Sequence, residues 1–202
     1  AVNHVIKIKI LVILSFQFGL LCAQKGLRFV RWGVEDGLSQ STVTQIIQDK
    51  SGFIWVGTQD GLNKFDGYEF KVYRQKENDP ASLSNNYIMS LICDSAGYVW
   101  VGTTNGLNRI NPLTHKVERI SLEKIFPGAN NYRIHSLCAA AQGGVYVATG
   151  FTIFYVDTKG DVYRLPNIEV MLPSGSNSLV RDADNLYFAA SKKIWCYSLS
   201  LH

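Results

Sequence analysis

Short runs of alternating or wholly apolar residues, separated by turn residues, recur along most of the chain. The first complete set predicts four strands, which are Val43–Gln48, Phe53–Thr58, Leu62–Phe65 and Tyr68–Tyr73. Asp49-Lys50-Ser51-Gly52 and Gln59-Asp60-Gly61 supply turn residues between these strands, and Asp66-Gly67 is a two-residue hairpin signal. Strands this short, joined by turns this tight, predict one antiparallel four-stranded sheet.

The same pattern comes again 45 residues later. Leu38–Phe65 and Leu83–Ile110 are identical at 12 of 28 positions without a gap. The second copy predicts strands over Tyr87–Cys93, Tyr98–Thr103, Leu107–Ile110 and Lys116–Ile120. A repeat of about 40–50 residues with several strands per unit is typical of β-propeller blades. We therefore predict an all-β fold, a partial ring of about four four-stranded blades.

Two further units are predicted with weaker patterns. The third has strands over Ile134–Ala139, Val145–Thr149, Ile153–Val156 and Val162–Leu165, and the fourth over Ser178–Arg181, Leu186–Ala190 and Lys193–Tyr197. The predicted blades span about 39–73, 84–120, 133–165 and 178–202. A strand-like stretch over 27–32 matches an outer strand, and we expect it to close the ring with a blade beyond residue 202.

The repeated aromatic and glycine positions are predicted to be scaffold. Trp55 and Trp100 offer large apolar areas for the space between neighbouring sheets. Gly57 and Gly102 allow strands to approach closely near the axis. The alternative is that the tryptophans are stacking platforms for sugars.

Residues 1–23 have the pattern of a signal peptide. Lys7 and Lys9 precede an apolar run over 10–21 that is short for a membrane span. An uncleaved anchor and a lipoprotein acylated at Cys22 are the alternatives. All three place residues 24–202 outside the cytoplasm. Because residue 1 is Ala rather than Met, we expect the sequence to be part of a longer chain.

Composition excludes several classes of function. The chain is 47% apolar and 18% charged, which indicates a globular fold, and its formal charge of +4 is not gathered into a basic stripe for nucleic acid. No nucleophile, phosphate-loop or metal-site motif is present, so no catalytic residue, metal or cofactor is predicted. Cys93, Cys138 and Cys196 are predicted to be small buried residues, and His115 a solvated turn residue.

Ligand binding is predicted on the segments that do not repeat, chiefly Arg74–Ser82 and Ser121–Arg133. The second segment combines aromatic, amide and guanidinium groups as glycan sites do, which makes Asn131, Tyr132 and Arg133 candidate ligand-binding residues. His135 is a fourth candidate that could face the central channel, although a structural role is the commoner one for a histidine within a strand. The repeated polar turns before Gly61 and Gly106 are attributed to turn geometry.

The repeated motif resembles a known family. Ile-x-x-Asp-x-x-Gly-(Phe/Tyr)-(Ile/Val)-Trp-Val-Gly-Thr-x-x-Gly-Leu-Asn, preceded by Leu-Ser, is similar to the two-component regulator propeller repeat. The first two predicted blades carry the motif closely, the third lacks the Gly-Leu-Asn turn, and the fourth matches only in outline.

The resemblance implies a periplasmic sensor within a hybrid two-component system. Such an inner-membrane protein would contain seven-bladed propellers and downstream histidine kinase domains. It would bind a ligand such as an oligosaccharide and would form a homodimer at full length. The segment over 24–202 would contact the rest of the propeller and no nucleic acid. A secreted propeller enzyme, either a lyase or a glycosidase, and a non-signalling carbohydrate-binding scaffold remain the alternatives.

Overall fold

Strands make up nearly all the regular structure of the residues that the computed structural model describes, which are 29–128, 132–166, 168, 178–190 and 192–199. The chain divides into two units, Ala1–Arg31 and Trp32–His202. In the first unit, the described residues 29–31 contain no helix or strand. The second unit begins with a short 3-10 helix over Val34–Asp36, which is followed by fifteen strands in the described part.

These strands are β1 (Val43–Gln48), β2 (Ile54–Thr58), β3 (Gly61–Phe65), β4 (Phe70–Tyr73), β5 (Ile88–Cys93), β6 (Val99–Thr103), β7 (Gly106–Ile110), β8 (Val117–Ile120), β9 (Ile134–Ala139), β10 (Val145–Thr149), β11 (Ile153–Val156), β12 (Val162–Arg164), β13 (Leu179–Arg181), β14 (Asn185–Ala190) and β15 (Lys193–Ser198). They form antiparallel sheets in the orders β1-β2-β3-β4, β5-β6-β7-β8, β9-β10-β11-β12 and β13-β14-β15. We call these sheets blades 1 to 4. The predicted all-β propeller fold is therefore confirmed.

The first strands of the blades lie side by side along the chain. β1 contacts β5, β5 contacts β9, and β9 contacts β13. Each blade is a sheet with two apolar faces, and it buries them only by packing against its neighbours. The result is a row of blades with their innermost strands toward one axis, as in a propeller.

Each pair of neighbouring blades shares an apolar core. Between blades 1 and 2, Trp55 packs with residues of β5 and β6 such as Ile88 and Val101. Between blades 2 and 3, Trp100 packs with residues of β9 and β10 such as Leu137. Trp55 is 1% exposed and Trp100 is not exposed at all. The repeated tryptophans are therefore core residues, which leaves no ring face for a sugar.

Gly57 and Gly102 stand where neighbouring blades crowd together. A Cβ on Gly57 would lie 2.8 Å from Ile88 Cγ2, and a Cβ on Gly102 would lie 2.6 Å from Ile134 Cγ2. Real Cβ atoms do not approach other carbons this closely. Each glycine is therefore required by the first strand of the next blade, as the repeat predicted.

Some sequence predictions have a different outcome. Residues 29–32, which are the described part of the predicted ring-closing strand, are not in a strand. The ring-closing strand and the blade bounds stay predictions. Cys93 and Cys138 are half-buried free thiols, and burial raises their pKa values. The prediction that Cys196 is buried is wrong, because β15 has no outer neighbour among the described strands and Cys196 is exposed on it.

The predicted signal peptide over 1–23 lies outside the described residues. Within the described ranges, we find no helix that is long and apolar enough to cross a membrane.

Candidate functional site

Two kinds of loop meet on one face of the blades. The turns after β2 and β6 join strands within a blade, whereas residues 74–87 and 121–133 connect the outer strand of one blade to the inner strand of the next. The Gly61 amide donates to the Asn86 carbonyl at 2.8 Å, and the Gly106 amide donates to the Tyr132 carbonyl at 2.7 Å. These bonds place the turns of each blade against the following connection. We call the surface they form the connection face.

The connection over 74–87 is fixed by one arginine of blade 2. Arg119 Nη2 donates to the carbonyls of Asp79 and Leu83 at 3.0 and 2.9 Å, and Arg119 Nε donates to the Ser82 carbonyl at 2.9 Å. The fixed fork of a guanidinium can satisfy several carbonyls at once. The connection is therefore held in a single shape by the blade it enters.

The part of the next connection over 121–128 is held in the same way by blade 3. Arg164 takes the place in β12 that Arg119 takes in β8, since their strand partners Phe154 and Asn108 are equivalent. Its Nη2 donates to the carbonyls of Lys124 and Ile125 at 3.2 and 2.8 Å. Residues 74–87 and 121–128 are thus anchored segments, and a pre-organised binding surface requires such anchoring.

A polar network ties blade 1 to the first connection. Arg74 Nη2 contacts the Asp60 carboxylate at 3.1 Å, and Asn86 Nδ2 donates to the other Asp60 oxygen at 3.3 Å. Gln59 Nε2 donates to Tyr87 Oη at 3.1 Å. The turn before Gly61 therefore does more than reverse the chain, because its side chains also bind the connection over 74–87, which does not repeat. Sequence reasoning missed this network, whose partners lie up to 28 residues apart.

Tyr132 lies at the inner edge of the connection face. Its ring stacks on Phe126 with centroids 5.0 Å apart, and its Oη donates to the Phe126 carbonyl at 3.1 Å. Tyr132 also packs against the core between blades 2 and 3. Its side chain therefore shapes the connection, and less of it is available to a ligand than the sequence indicated.

Arg133 and His135 follow directly and differ in exposure. Arg133 is exposed, whereas His135 is half-buried, with its Nε2 3.7 Å from where a Cβ on Gly150 would lie. His135 thus lies beside the turn after β10, on the connection face. Asn131, the remaining candidate, lies outside the described residues. The structure therefore brings Arg133, His135 and the ring of Tyr132 to one region.

His135 occupies a special position in its strand. The pairing of β9 with β10 shifts register between Ile134 and Ser136, so His135 is the bulged residue of β9. The same shift occurs at Thr44 in β1 and at Met89 in β5. Bulged residues are common beside functional sites because the bulge re-aims a side chain. Each of these three blades therefore presents one bulged residue at the start of its innermost strand.

The opposite face carries the repeated aspartates of the motif. Asp94 Oδ1 accepts the amides of Ala96 and Tyr98 at 2.9 and 3.0 Å, and its Oδ2 accepts Trp100 Nε1–H at 2.8 Å. Asp49 makes the same three bonds in blade 1, including one of 2.7 Å from Trp55 Nε1. The motif aspartate thus closes a turn and satisfies a buried indole, and it is structural.

The Leu-Ser and Gly-Leu-Asn parts of the motif bind each other. Asn108 Oδ1 accepts the Ser84 amide at 2.9 Å, and Asn108 Nδ2 donates to Ser84 Oγ at 2.9 Å. Asn63 and Ser39 make the same pair of bonds in blade 1. Both asparagines are fully buried. These bonds join the incoming connection to β3 or β7 over 24 residues of sequence, and they are also structural.

A buried cation of one blade contacts a turn of the next. Lys64 Nζ lies 3.4 Å from the centroid of the Phe53 ring and 3.4 Å from His115 Nε2. The prediction that His115 is a solvated turn residue is wrong, since it is half-buried against blade 1. Desolvation lowers the pKa of both groups, and the Lys64 charge lowers the pKa of His115 further.

Arg109 is the corresponding cation of blade 2. Its guanidinium lies 4.9 Å from the centroid of the Tyr98 ring and contacts Glu118 at 2.8 Å. It also donates to the carbonyls of Thr158 and Lys159 in the turn after β11. This cation therefore joins blade 2 to blade 3.

The described residues contain no group of three or more His, Cys, Asp and Glu side chains that could hold a metal ion. The arrangement on the connection face has hydrogen-bond donors, aromatic edges and charge, and it suits recognition by hydrogen bonding.

Comparison with known proteins agrees with the motif. Residues 37–60 and 82–105 match the two-component regulator propeller family model. Histidine kinase P4 of Formosa agariphila is 63% identical over 49 residues, which are 24% of this chain and 4% of that protein.

Two solved extracellular domains from B. thetaiotaomicron, each described as part of a hybrid two-component system, have a similar fold. One is 25% identical with a TM-score of 0.69 over 85% of this chain, and the other is 24% identical with a TM-score of 0.67 over 89%. This chain spans 25% and 24% of those structures. The chain therefore carries two-component regulator propeller repeats at residues 37–60 and 82–105, within the first two blades of a β-propeller.

Proposed function

We propose that residues 24–202 are the ligand-sensing segment of a hybrid two-component signal-transduction sensor. The observation that carries this proposal is the 25% identity, over 85% of the chain, with the extracellular domain of such a system. The short match to histidine kinase P4 supports it. In this function the segment is a periplasmic ectodomain of an inner-membrane protein that follows a signal peptide over 1–23. The rest of the propeller and the kinase domains are its partners in a homodimer.

We propose an oligosaccharide as the ligand and the connection face as its site. Arg133 offers guanidinium donors, His135 an imidazole and Asn131 an amide, and these groups match the hydroxyl groups of a sugar. Tyr132 would hold the aromatic edge of the site in place through Phe126. The anchoring of the connections by Arg119 and Arg164 supports the proposal, because an ordered surface loses less entropy on binding.

The signal would pass through the packing of neighbouring blades. Ligand bound at the connections contacts segments that are each tied to the next blade by backbone bonds such as Gly106 to Tyr132. A shift of one connection would therefore bias the packing of two blades, and a kinase beyond the propeller could respond to it.

A reporter assay in cells that express the intact protein tests this function. A panel of oligosaccharides is applied, and transcription from the regulated promoter is followed against concentration. The wild type should respond to one glycan class. Arg133→Ala and His135→Ala should raise the half-maximal concentration by at least about tenfold, since each removes hydrogen bonds to the ligand.

Lys116→Ala is the matched control, because Lys116 is exposed in the turn before β8 on the opposite face. Its dose response should equal that of the wild type at the same protein level. If both connection-face variants respond like the wild type, the site is not there. If no oligosaccharide gives any response, the glycan proposal is wrong.

A further inference from the structure

A tyrosine-lined cavity lies between blades 3 and 4. It has a volume of about 210 Å³ and is lined by Tyr146, Tyr155, Tyr163 and Tyr197, with Gln142 and Pro166 beside them. None of the described lining residues carries a formal charge. The volume is below the roughly 300–1,000 Å³ of most ligand pockets, so it suits a small molecule.

Three of these tyrosines form one row across blade 3. Tyr146 pairs with Tyr155, and Tyr155 pairs with Tyr163. Ring centroids are 5.4 Å apart in the first pair and 5.9 Å in the second. In the same row, blade 1 has Trp55, Lys64 and Lys71, and blade 2 has Trp100, Arg109 and Glu118. Blade 3 therefore has a tyrosine where the other two blades have a buried cation.

A second change opens the space. Phe53 and Tyr98, two residues before the tryptophans, carry the rings over which Lys64 and Arg109 lie. Gly144 takes that position in blade 3, with a φ of 74°, and a Cβ on it would lie 2.1 Å from the Val156 carbonyl oxygen. Only glycine therefore fits at position 144. The aromatic ring and the cation of the repeat are thus both absent from blade 3, and the cavity remains.

The surroundings favour positive charge. Tyr163 Oη donates to Asp157 Oδ2 at 3.2 Å, which places a carboxylate next to the row, and Tyr155 Oη donates to the Gly143 carbonyl at 2.8 Å. The faces of aromatic rings attract cations within about 6 Å, and clusters of such rings recognise quaternary ammonium groups. Burial raises the pKa of Tyr155, so this phenol stays neutral.

We propose that this cavity binds a small organic cation, with a quaternary or primary ammonium group over the rings of Tyr146, Tyr155 and Tyr163. The ligand supplies to this row of blade 3 the positive charge that Lys64 and Arg109 supply in the two preceding blades. This site shares no described lining residue with the connections over 74–87 and 121–133, and the proposal does not depend on the sensor function.

Calorimetric titration of the intact protein with choline chloride tests the proposal. The comparison ligand is the uncharged carbon isostere of choline, in which a tert-butyl group replaces the trimethylammonium group. Choline should bind at least about tenfold more tightly than the isostere, because only choline interacts with the ring faces electrostatically. This comparison needs no variant, so it does not depend on the folding of a mutant.

Two substitutions locate the binding. Tyr155→Leu should weaken choline binding by at least about tenfold, whereas Tyr155→Phe should keep it, since phenylalanine keeps the ring face. Tyr68→Leu is the control, because Tyr68 is 87% exposed in the turn after β3. Melting curves check that each variant is folded. The proposal is overturned if the isostere binds as tightly as choline, if neither ligand binds, or if folded Tyr155→Leu binds choline like the wild type.

Discussion

Blades 2 and 3 are adjacent and built on the same strand order, yet they solve the same packing problem with different residues. In blade 2, Asp94 satisfies the indole of Trp100, Asn108 binds Ser84, and Arg109 contacts the next blade. In blade 3, the equivalent places hold Ala140, Tyr146, Phe154 and Tyr155. Apolar and aromatic contacts have replaced a set of buried polar bonds.

The replacements in blade 3 occur together. Where the aspartate becomes Ala140, the tryptophan becomes Tyr146, so no buried indole is left without an acceptor. Where the asparagine becomes Phe154, the incoming connection offers Phe126, and the two rings meet edge to face at 6.3 Å. A buried polar group without its partner is costly, so both members of a pair change or neither does. The motif is thus a set of coupled hydrogen bonds. Blade 3 lacks these bonds and still forms a four-stranded sheet in the same strand order.

The largest expected effect comes from breaking the aspartate–tryptophan pair of blade 2. Asp94→Ala leaves the Trp100 donor buried without an acceptor and removes two turn bonds, so it should destabilise folding by about 2–4 kcal/mol. Chemical denaturation of the intact protein measures this change. Asp157→Ala is the control, since Asp157 closes a turn in blade 3 through the amides of Lys159 and Asp161 but binds no indole. An equal cost for both variants would contradict the coupling.

The next effect concerns crowding between blades. Gly102→Ala places a Cβ 2.6 Å from Ile134 Cγ2 and should cost about 1–3 kcal/mol through overpacking. At the same position in blade 3, Ala148 already carries a Cβ, so Ala148→Gly should cost less than about 1 kcal/mol. Thermal melts of both variants compare the two junctions. If Gly102→Ala costs no more than Ala148→Gly, the junction of blades 2 and 3 has room for a methyl group and crowding is not what requires glycine there.

A smaller effect is expected from the buried cations. Arg109→Met removes the bonds to the Thr158 and Lys159 carbonyls and the contact with Glu118, and should cost about 1–2 kcal/mol. Lys64→Met removes one contact to His115 and also relieves the desolvation cost of the buried ammonium group, so it should cost less. The denaturation midpoints of the two variants give the order. If the lysine variant is the less stable one, the carbonyl contacts are not what joins blades 2 and 3.

The smallest effect is a dependence on pH at the junction of blades 1 and 2. Desolvation, and then Lys64 and Lys71, hold the pKa of His115 below its ordinary value of 6.5, while Asp49 opposes them. Because the unfolded chain then binds the proton more readily, His115 contributes stability that is lost as pH falls below about 6.5. His115→Asn keeps a residue that tolerates its φ of 54°.

The loss of melting temperature between about pH 7.5 and about pH 5.5 should be smaller in His115→Asn than in the wild type. If the melting temperatures of the two proteins fell in parallel with pH, His115 would not contribute to the pH dependence of stability.

The regular parts of this fold follow from the sequence. The bounds of β1, β9, β10 and β11 coincide with those predicted, because short apolar runs end at turn residues even where the repeated motif is weak. The roles of Trp55, Trp100, Gly57 and Gly102 could also be inferred, since a repeated residue at a fixed phase points first to packing.

Contacts across long stretches of sequence could not be predicted. The sequence predicts His115 as an ordinary turn residue. Only the packing of blade 2 on blade 1 brings it to Lys64, 51 residues away. Tyr146, Tyr155 and Tyr163 read as ordinary strand residues until the strand register places them side by side. Of the candidate site, Arg133 is predicted from its segment and His135 from its place in the first strand of blade 3, whereas the anchoring by Arg119 and Arg164 needed the fold.

The separation of scaffold from ligand recognition is tested most directly by one dose–response measurement. The intact protein is compared with Asp94→Ala from the repeated motif on the opposite face and with Arg133→Ala from the connection face, at a temperature where melting curves show all three folded. Asp94→Ala should lower the melting temperature and leave the half-maximal oligosaccharide concentration within about twofold of the wild type. Arg133→Ala should keep the melting temperature and raise that concentration by at least about tenfold. An unchanged response in Arg133→Ala, with a shifted response in Asp94→Ala, would contradict the account.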